Sequence, residues 1–336
     1  MIVRKKAYPR VGLIGNPSDG YFGKTISFAF GNFHAEVVLY ETPELEILPS
    51  EKDHSYFRHI RDLVKDVELH GYYGGIRLLK STIKCFYDHC ISEGIELHDK
   101  NFTIRYHSNI PHGVGLAGSS AIITACLRSL MAFYGVTIPK YTQANLILSA
   151  EVDELKIAAG LQDRVIQVYE GLVYMDFAKK IMDNRGYGEY EKLDHRLLPP
   201  LYVAYHSDLS EPTEVFHNNI RDRFDRKEPV VVNAMRYWAG LTEKFKNSLL
   251  GGQTEKLGGM LNANFNRRKN IYRMSKANLE MVDAARSVGC SGKFTGSGGA
   301  IVGTYADQKM FVRLKKKLRS LNISVIKPRI ITGRGN

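Results

Sequence analysis

A glycine-rich stretch directly before a long apolar segment most constrains how this chain can fold. Residues 111–121 read Pro-His-Gly-Val-Gly-Leu-Ala-Gly-Ser-Ser-Ala. They lie between an alternating, strand-like segment and a helix predicted from Ser119 to about Phe133. The three glycines let the backbone approach a ligand without Cβ clashes, and a helix N-terminus attracts phosphate oxygens. The alternative is a flexible turn in which Ser119 is the N-cap of the helix.

Two common phosphate-binding motifs do not fit this stretch. A Walker loop requires a lysine after its last glycine, and none follows Gly118. The glycines do spell GxGxxG, but a dinucleotide-binding unit also needs an acidic residue about 20 positions further on. No acidic residue occurs between Gly118 and Glu151, so the Rossmann interpretation is rejected.

Composition sets the class of protein. With 336 residues, 44% of them hydrophobic and 24% charged, the chain suits one large soluble globular domain or two packed ones. No run of about 18 apolar residues and no secretory signal is visible, so we expect neither a membrane span nor export. Four scattered cysteines predict reduced thiols in a cytoplasmic protein. The net charge of +12 favours an anionic partner such as a nucleotide, an acidic metabolite or nucleic acid.

Interleaved strand and helix patterns predict an α+β fold rather than a doubly wound parallel sheet. The first strands are predicted around Val11, from Lys24 to Phe30 and from Ala35 onward, with helices over 75–93, 142–158 and 231–250 among others. The polar stretch after Asp176 is the best candidate for a domain crossing. We therefore predict domains at 1–190 and 191–336.

Two further segments add to the glycine-rich stretch. Residues 9–24 read Pro-Arg-Val-Gly-Leu-Ile-Gly-Asn-Pro-Ser-Asp-Gly-Tyr-Phe-Gly-Lys, and residues 292–300 read Gly-Lys-Phe-Thr-Gly-Ser-Gly-Gly-Ala. Together the three segments resemble, in order and over nearly the whole chain, the three motifs of the GHMP kinases (galactokinase, homoserine, mevalonate and phosphomevalonate kinases). The extra alanine in Gly-Leu-Ala-Gly-Ser-Ser-Ala is similar to the plant-type glucuronokinases, as are residues 15–25 and 159–165.

The resemblance implies a fold and a reaction. It implies a two-lobed GHMP kinase fold, with an N-terminal lobe like the second domain of ribosomal protein S5 and a ferredoxin-like C-terminal lobe. It also implies ATP and Mg²⁺ as cofactors, and direct in-line phosphorylation of the anomeric hydroxyl of a uronic acid. On this resemblance we expect D-glucuronate to be converted to glucuronate 1-phosphate.

Candidate catalytic residues come from the same resemblance. Asp163 would accept the proton of the anomeric hydroxyl or orient that hydroxyl, and Arg10 would keep this carboxylate ionised and stabilise charge during transfer. Residue types alone leave alternatives open. Asp163 could be the N-cap of a helix starting at Arg164, and Arg10 could be a surface arginine before a strand.

Binding residues are assigned in the same way. Ser120 and Glu151 would bind Mg²⁺, with a solvated helix carboxylate as the alternative for Glu151. The expected ATP-binding residues are Pro111, Gly113, Gly115, Leu116, Ala117, Gly118, Ser119, Ser120 and Ala121. The expected substrate-binding residues are Asn16, Asp19, Lys24, Arg164, Gly296, Ser297 and Gly298. Residues 16–20 could instead form an ordinary Asx turn, and the glycines near 296 a bulge or tight turn.

Two rival functions remain open at this point. The first is a GHMP kinase for galactose, galacturonate, another sugar or mevalonate. The second is nucleic-acid binding through the basic segment 309–319, although Phe311, Leu314, Leu318 and Leu321 form an apolar stripe there that makes the lysines the solvated face of a helix. We therefore expect a small-molecule substrate, no membrane, no nucleic acid, and a monomer or homodimer.

Overall fold

The structure is a computed structural model that describes residues 1–50, 74–206 and 214–332. The strands among these residues are β1 (Ile2–Ala7), β2 (Arg10–Ile14), β3 (Lys24–Ala29), β4 (Ala35–Thr42), β5 (Glu46–Ile47), β6 (Asn101–Ser108), β7 (Leu172–Asp176), β8 (Glu189–Leu193), β9 (Leu201–His206), β10 (Lys293–Phe294), β11 (Ala300–Thr304) and β12 (Ile323–Ile326).

The α-helices of the same part of the chain alternate with these strands. They are α1 (Gly75–Ser92), α2 (Gly118–Tyr134), α3 (Lys140–Ser149), α4 (Leu161–Tyr169), α5 (Lys179–Arg185), α6 (Glu214–Asp225), α7 (Pro229–Leu250), α8 (Leu257–Lys269), α9 (Lys276–Ser287) and α10 (Gln308–Arg319). A π-helical turn at Ala150–Glu154 follows α3, and a 3₁₀ turn at Ser18–Tyr21 lies between β2 and β3.

The chain forms two compact units, each assembled from separate stretches. Unit 1 consists of residues 1–9, 33–110 and 117–169. Its sheet has the order β1-β4-β6-β5, with antiparallel pairing except between β5 and β6. Helix α2 is apolar around most of its circumference, so it is buried between this sheet and helices α1 and α4.

Unit 2 consists of residues 10–32, 111–116 and 170–336. It contains two antiparallel sheets, ordered β2-β3-β7-β8 and β10-β11-β9-β12. Helix α7 packs on the first sheet and α8 packs on the second, while the buried Trp238 of α7 lies in an apolar cluster with Tyr21 and Ile220. The motif segments 10–24 and 292–300 both belong to this unit.

The α+β class predicted from the sequence is confirmed, since all but one of the strand pairings in the described sheets are antiparallel. Most predicted helices occur within a few residues of their expected ends. The helix predicted over 142–158 is wrong at its C-terminal end, because α3 stops at Ser149 and gives way to the π-helical turn. In α10, Phe311, Leu314 and Leu318 are buried, as the apolar stripe predicts.

The predicted domains 1–190 and 191–336 stay a prediction beside these two units. The polar stretch after Asp176 forms α5 and β8, and β8 pairs with β7 in the first sheet of unit 2. In the described ranges, no helix has both the length and the apolar character that crossing a membrane requires.

Candidate active site

Hydrogen bonds join the first motif, the start of the glycine-rich stretch (residues 111–116) and the C-terminal glycine loop within unit 2. The Arg10 N–H donates to the Leu116 carbonyl (3.2 Å), and the Gly12 N–H donates to the Thr295 carbonyl (2.8 Å). The Thr295 hydroxyl in turn donates to the Gly115 carbonyl at 3.1 Å. Strand β2 therefore lies next to both the start of the glycine-rich stretch and the C-terminal glycine loop.

The Arg10 side chain reinforces this junction. It is buried, and its Nη1 donates to the carbonyl oxygens of Gly115 (2.6 Å) and Thr295 (3.3 Å). The alternative of a surface arginine is therefore wrong. A Cβ at Gly296 would lie 2.7 Å from both Arg10 Nη2 and the Gly115 carbonyl, so this position has no room for a side chain.

Glycine is also required at position 115. Gly115 has a φ of +66°, and a Cβ there would lie 2.6 Å from the Gly298 carbonyl oxygen. Left-handed backbone and close approach thus occur together where the two loops meet. Pro111, Gly113 and Leu116 belong to the same part of unit 2, whereas residues 117–121 belong to unit 1.

A buried arginine that the sequence patterns do not single out holds the C-terminal glycine loop. Arg268, on α8, donates to the carbonyl oxygens of Gly296 (2.6 Å) and Ser297 (3.3 Å). Burial lowers its pKa, and the neighbouring Tyr272 and Asp19 act in the opposite direction. In the sequence Arg268 stands in a basic run, Asn-Arg-Arg-Lys, that has the pattern of a solvated helix end.

The turn after β2 is held by Asn264 and Lys293, neither of which is among the candidate site residues predicted from the sequence. Asn264 accepts the Gly15 N–H (2.8 Å) and donates to the main-chain carbonyl of Asn16 (3.2 Å). Lys293 Nζ donates to Asn16 Oδ1, the Gly12 carbonyl and the Phe294 carbonyl, each at 2.6 Å. Burial lowers the pKa of Lys293 well below its usual range, and the positive charges of Arg268 and Arg10 lower it further.

Asp19 and Gly20 lie in the 3₁₀ turn beside an aromatic pair. Tyr21 packs against Phe224, and the guanidinium of Arg221 lies 4.5 Å from the Tyr21 ring centroid while its Nη2 donates to the Gly20 carbonyl (2.7 Å). Burial raises the pKa of Tyr21. The negative charge of Asp19 also raises that pKa, whereas the positive charge of Arg221 lowers it.

Lys24, one of the predicted substrate residues, contacts two carboxylates. Its Nζ lies 3.0 Å from Asp176 Oδ2 and forms a short contact with Glu243. Partial burial lowers the pKa of Lys24, but the hydrogen bonds to Glu243 and Asp176 outweigh burial and raise it overall. The charge of this lysine is thus already balanced within unit 2.

In unit 1, helix α2 begins at Gly118, after Ala117 in the left-handed region (φ +58°). Ser119 lies inside the first helical turn, so the interpretation of Ser119 as an N-cap is wrong. The Ala117 carbonyl accepts a hydrogen bond from Gln167 Nε2 (2.9 Å) on α4. The first N–H groups of a helix lack intrahelical partners, which suits the start of α2 to an anion.

A buried polar network extends from this helix start. The Ser120 hydroxyl lies 2.9 Å from Glu151 Oε1 and 3.2 Å from Oε2. Arg164 donates to Glu151 through Nε (2.5 Å) and through a short contact from Nη2, and to the Gly160 carbonyl (2.7 Å). Glu151 is 2% exposed, so the alternative of a solvated helix carboxylate is wrong.

Asp163 adjoins this network from within α4. One of its oxygens lies 3.6 Å from Arg164 Nη1, and the other accepts a hydrogen bond from Gln162 Nε2 (3.3 Å). Because α4 begins at Leu161, Asp163 is in the first turn of the helix and is not the N-cap of a helix starting at Arg164. Its side chain remains 18% exposed.

The donor set around Ser120 suits a hard cation only in part. A hydroxyl and a carboxylate are ligands that Mg²⁺ accepts, and the remaining positions in such sites are filled by phosphates and water. No group of three or more His, Cys, Asp or Glu side chains arranged for a metal occurs within residues 1–50, 74–206 and 214–332. The two oxygen donors therefore fit a metal that arrives with a nucleotide.

Comparison with known proteins identifies the family of the chain and its fold. Residues 77–171 match the family model of the GHMP kinases N terminal domain. A galactokinase from Lactococcus lactis, solved in complex with galactose, has the same fold with a TM-score of 0.76 at 15% identity, covering 98% of this chain and 93% of that one.

Two relatives from Arabidopsis thaliana match over most of their length. Probable glucuronokinase 2 is 44% identical over 308 residues, which is 90% of this chain and 84% of the relative. Glucuronokinase 1 is 42% identical over 306 residues, 89% and 84% of the two chains. The GHMP kinase fold is thereby confirmed. The chain belongs to the glucuronokinase family of the GHMP kinases; it is a small-molecule kinase, and the family implies ATP as the phosphate donor.

Proposed function

We propose that this protein transfers the γ-phosphate of ATP to the anomeric hydroxyl of D-glucuronate, forming glucuronate 1-phosphate. The observation that carries the proposal is the buried network of Ser120, Glu151, Arg164 and Asp163 at the start of α2. The choice of acceptor rests on the two relatives named as glucuronokinases.

Residues of the glycine-rich stretch would bind the nucleotide. In unit 1, the N–H groups at the start of α2, including those of Gly118, Ser119 and Ser120, would bind phosphate oxygens together with the helix dipole. In unit 2, Pro111, Gly113, Gly115 and Leu116 are the proposed contacts of the first half of the stretch.

Mg²⁺ would be held by Ser120 and Glu151. When bound, the ion would offset the negative charge of the phosphates during transfer. Arg164 supports this role because its two contacts with Glu151 fix the orientation of the carboxylate.

Asp163 would accept the proton of the acceptor hydroxyl. Its partial exposure leaves the carboxylate accessible, and Gln162 and Arg164 restrict its orientation. Arg10 would stabilise charge on the transferred group. Transfer would be direct, because the cysteines are buried and burial raises their pKa values, which disfavours a thiolate nucleophile.

The sugar would contact Asn16, Asp19 and residues 296–298 in unit 2. Lys24 and Arg164 remain proposed substrate contacts, although each already contacts carboxylates of the protein. The cytoplasmic location and the monomeric or homodimeric state stay predictions from the sequence.

The test is ADP release by the purified protein with ATP and Mg²⁺ over a panel of D-glucuronate, D-galacturonate, D-glucose, D-galactose and mevalonate. We expect D-glucuronate to give the highest kcat/KM, with a phosphorus resonance of a sugar 1-phosphate as product. A higher kcat/KM for galactose, galacturonate or mevalonate would replace the proposed acceptor. No ADP release with any of them would overturn the proposal.

A further inference from the structure

Two of the predicted substrate-binding residues are cations, Lys24 and Arg164, and both already contact carboxylates of the protein. Lys24 contacts Asp176 and Glu243, and Arg164, in unit 1, contacts Glu151. By contrast, Lys293 has no carboxylate within ion-pairing distance anywhere in the described ranges. Lys293 is 1% exposed, so within the described ranges its Nζ atom is surrounded by protein oxygens and not by water or a carboxylate.

The hydrogen bonds of Lys293 define the orientation of the Asn16 side chain. An ammonium group has three N–H donors and no acceptor. All three are used, by the Gly12 carbonyl, the Phe294 carbonyl and Asn16 Oδ1. If the amide were rotated by half a turn, two donors would face each other, so the oxygen of Asn16 must face Lys293 and the nitrogen must face away.

The amide nitrogen of Asn16 is available for a ligand. Its Nδ2 atom has no protein acceptor within the part of the chain that the structure describes. This nitrogen is also not fully buried. The 3% of Asn16 that is exposed to solvent therefore includes it. Asn264 fixes the main chain just before the turn, through the Gly15 N–H and the Asn16 carbonyl.

We propose that Asn16 and Lys293 select the acidic sugar: Lys293 orients the amide so that Asn16 Nδ2 donates to the carboxylate of the uronic acid. The inference rests on the proposed function and assigns the residue that distinguishes a uronic acid from a neutral hexose. Asn16 is the specificity residue, and Lys293 is a positioning residue that does not touch the substrate.

The chemistry of the two groups explains the selection. An ionised carboxylate only accepts hydrogen bonds, whereas the hydroxymethyl group of a neutral hexose both donates and accepts. A side chain that offers N–H donors and no acceptor therefore matches the carboxylate. The hydrogen bond that Lys293 donates to Asn16 Oδ1 polarises the amide, and this strengthens a hydrogen bond from Nδ2 to an anion in a buried setting.

The decisive variant is Asn16→Asp. The new carboxylate has nearly the same shape and can accept from Lys293, so we expect a folded protein with an unfolding midpoint at or above that of the wild type. It presents an acceptor and a negative charge where the donors were. We expect kcat/KM for D-glucuronate to fall by about 10²-fold or more, mostly through KM, because like charges placed together strongly disfavour binding.

Comparison of substrates separates selection from a merely structural role. For D-glucose we expect kcat/KM to stay within about threefold or to rise, and the dissociation constant of a non-hydrolysable ATP analogue to stay the same. Asn322→Asp adds the same charge at an exposed loop position of unit 2 and is the matched control. It should leave kcat/KM for both sugars unchanged.

A second variant tests the positioning residue. Lys293→Met removes the ammonium and should lower the glucuronate-to-glucose ratio of kcat/KM in the same direction as Asn16→Asp. The inference is overturned if Asn16→Asp lowers kcat/KM for both sugars by the same factor, or if kcat/KM for glucuronate stays within about threefold of wild type. The proposed function stands in either case. A wild-type protein inactive on every uronic acid would instead refute the proposed function itself.

Discussion

At the scale of single residues, the ion pair of Glu151 and Arg164 stabilises the fold, and Glu151 is also a proposed Mg²⁺ ligand. Both side chains are almost fully buried, at 2% and 5% exposure. Glu151→Gln would leave the Arg164 charge without its anion, and breaking a buried pair on one side costs about 3–5 kcal/mol. We expect the free energy of unfolding in urea to fall by about 3 kcal/mol and the Mg²⁺ concentration needed for half-maximal activity to rise.

Glu154→Gln is the matched control for that prediction. Glu154 lies in the same π-helical turn and contacts Lys84, whose side chain is 57% exposed. Exposed pairs contribute about 1 kcal/mol or less, so this variant should unfold close to the wild type. Equal losses for the two variants would mean that the Glu151–Arg164 pair has no special contribution.

Asp163 allows a separate test of catalysis. Asp163→Asn keeps the size of the side chain but cannot accept the proton of the acceptor hydroxyl. We expect kcat to fall by about 10²- to 10⁴-fold, the usual value of a general base, with the affinity for a non-hydrolysable ATP analogue nearly unchanged. Steady-state rates and calorimetry measure the two quantities, and Asp153→Asn, at an exposed position, is the control. A variant keeping more than about a tenth of the wild-type rate would place the base elsewhere.

At the scale of elements, the glycine-rich stretch contains glycines needed for two different reasons. A Cβ at Gly118 would meet only the Ile110 side chain, at 3.5 Å, which is ordinary contact. We therefore expect Gly118→Ala to unfold at the same temperature as the wild type and to bind ATP about tenfold more weakly, if phosphate oxygens approach this backbone as proposed. Unchanged ATP affinity would contradict the proposed approach.

In contrast to Gly118→Ala, we expect a substitution of Gly115 to lower the stability of the fold. Gly115→Ala places a Cβ 2.6 Å from the Gly298 carbonyl oxygen and keeps a left-handed backbone. Gly252→Ala, with a φ of +72° and open space around the Cβ, isolates the backbone strain. That strain costs about 1–2 kcal/mol. We expect Gly115→Ala to lower the melting temperature clearly more than Gly252→Ala, as measured by calorimetry.

The elements show what the sequence could and could not predict. Amphipathic and apolar helices such as α1, α2 and α7 follow from spacings of three and four, because one continuous face is buried. Strands β1 and β8 do not, because their sequences, IVRKKA and EYEKL, carry charges and are largely exposed. The π-helical turn could not be predicted from the sequence either. Its buried residue Glu151 is charged and pairs with Arg164, so no apolar pattern marks the turn.

At the scale of the whole molecule, sequence order hides how the site is assembled. The three motifs could be recognised from their residue types. In unit 2, the first motif, residues 111–116 and the C-terminal glycine loop are joined by backbone hydrogen bonds between segments far apart in the chain, which no local pattern predicts. Lys293 shows the same limit. It stands within a recognised motif, but only the fold reveals that its three donors meet the turn at Asn16.

The buried cysteines make the free energy of unfolding of the protein depend on pH in the alkaline range. All four are buried free thiols, and burial raises the pKa of Cys290 to about 11, with Arg313 acting in the opposite direction. An unfolded thiol has a pKa of about 8.5, so the unfolded chain loses this proton first as pH rises. The unfolded state then binds fewer protons than the native state. The free energy of unfolding therefore decreases with pH over this window and is unaffected by the thiol below it.

Cys290→Ala removes this contribution. We expect the free energy of unfolding of the wild type to fall more steeply than that of the variant between about pH 9 and pH 11, by up to about 1.4 kcal/mol per pH unit, the value for one proton. Urea unfolding at several pH values measures the two slopes, and the comparison cancels the lysines and tyrosines that titrate in both proteins. Parallel slopes would mean that the Cys290 thiol titrates alike in the folded and unfolded chains, and that burial does not keep it protonated.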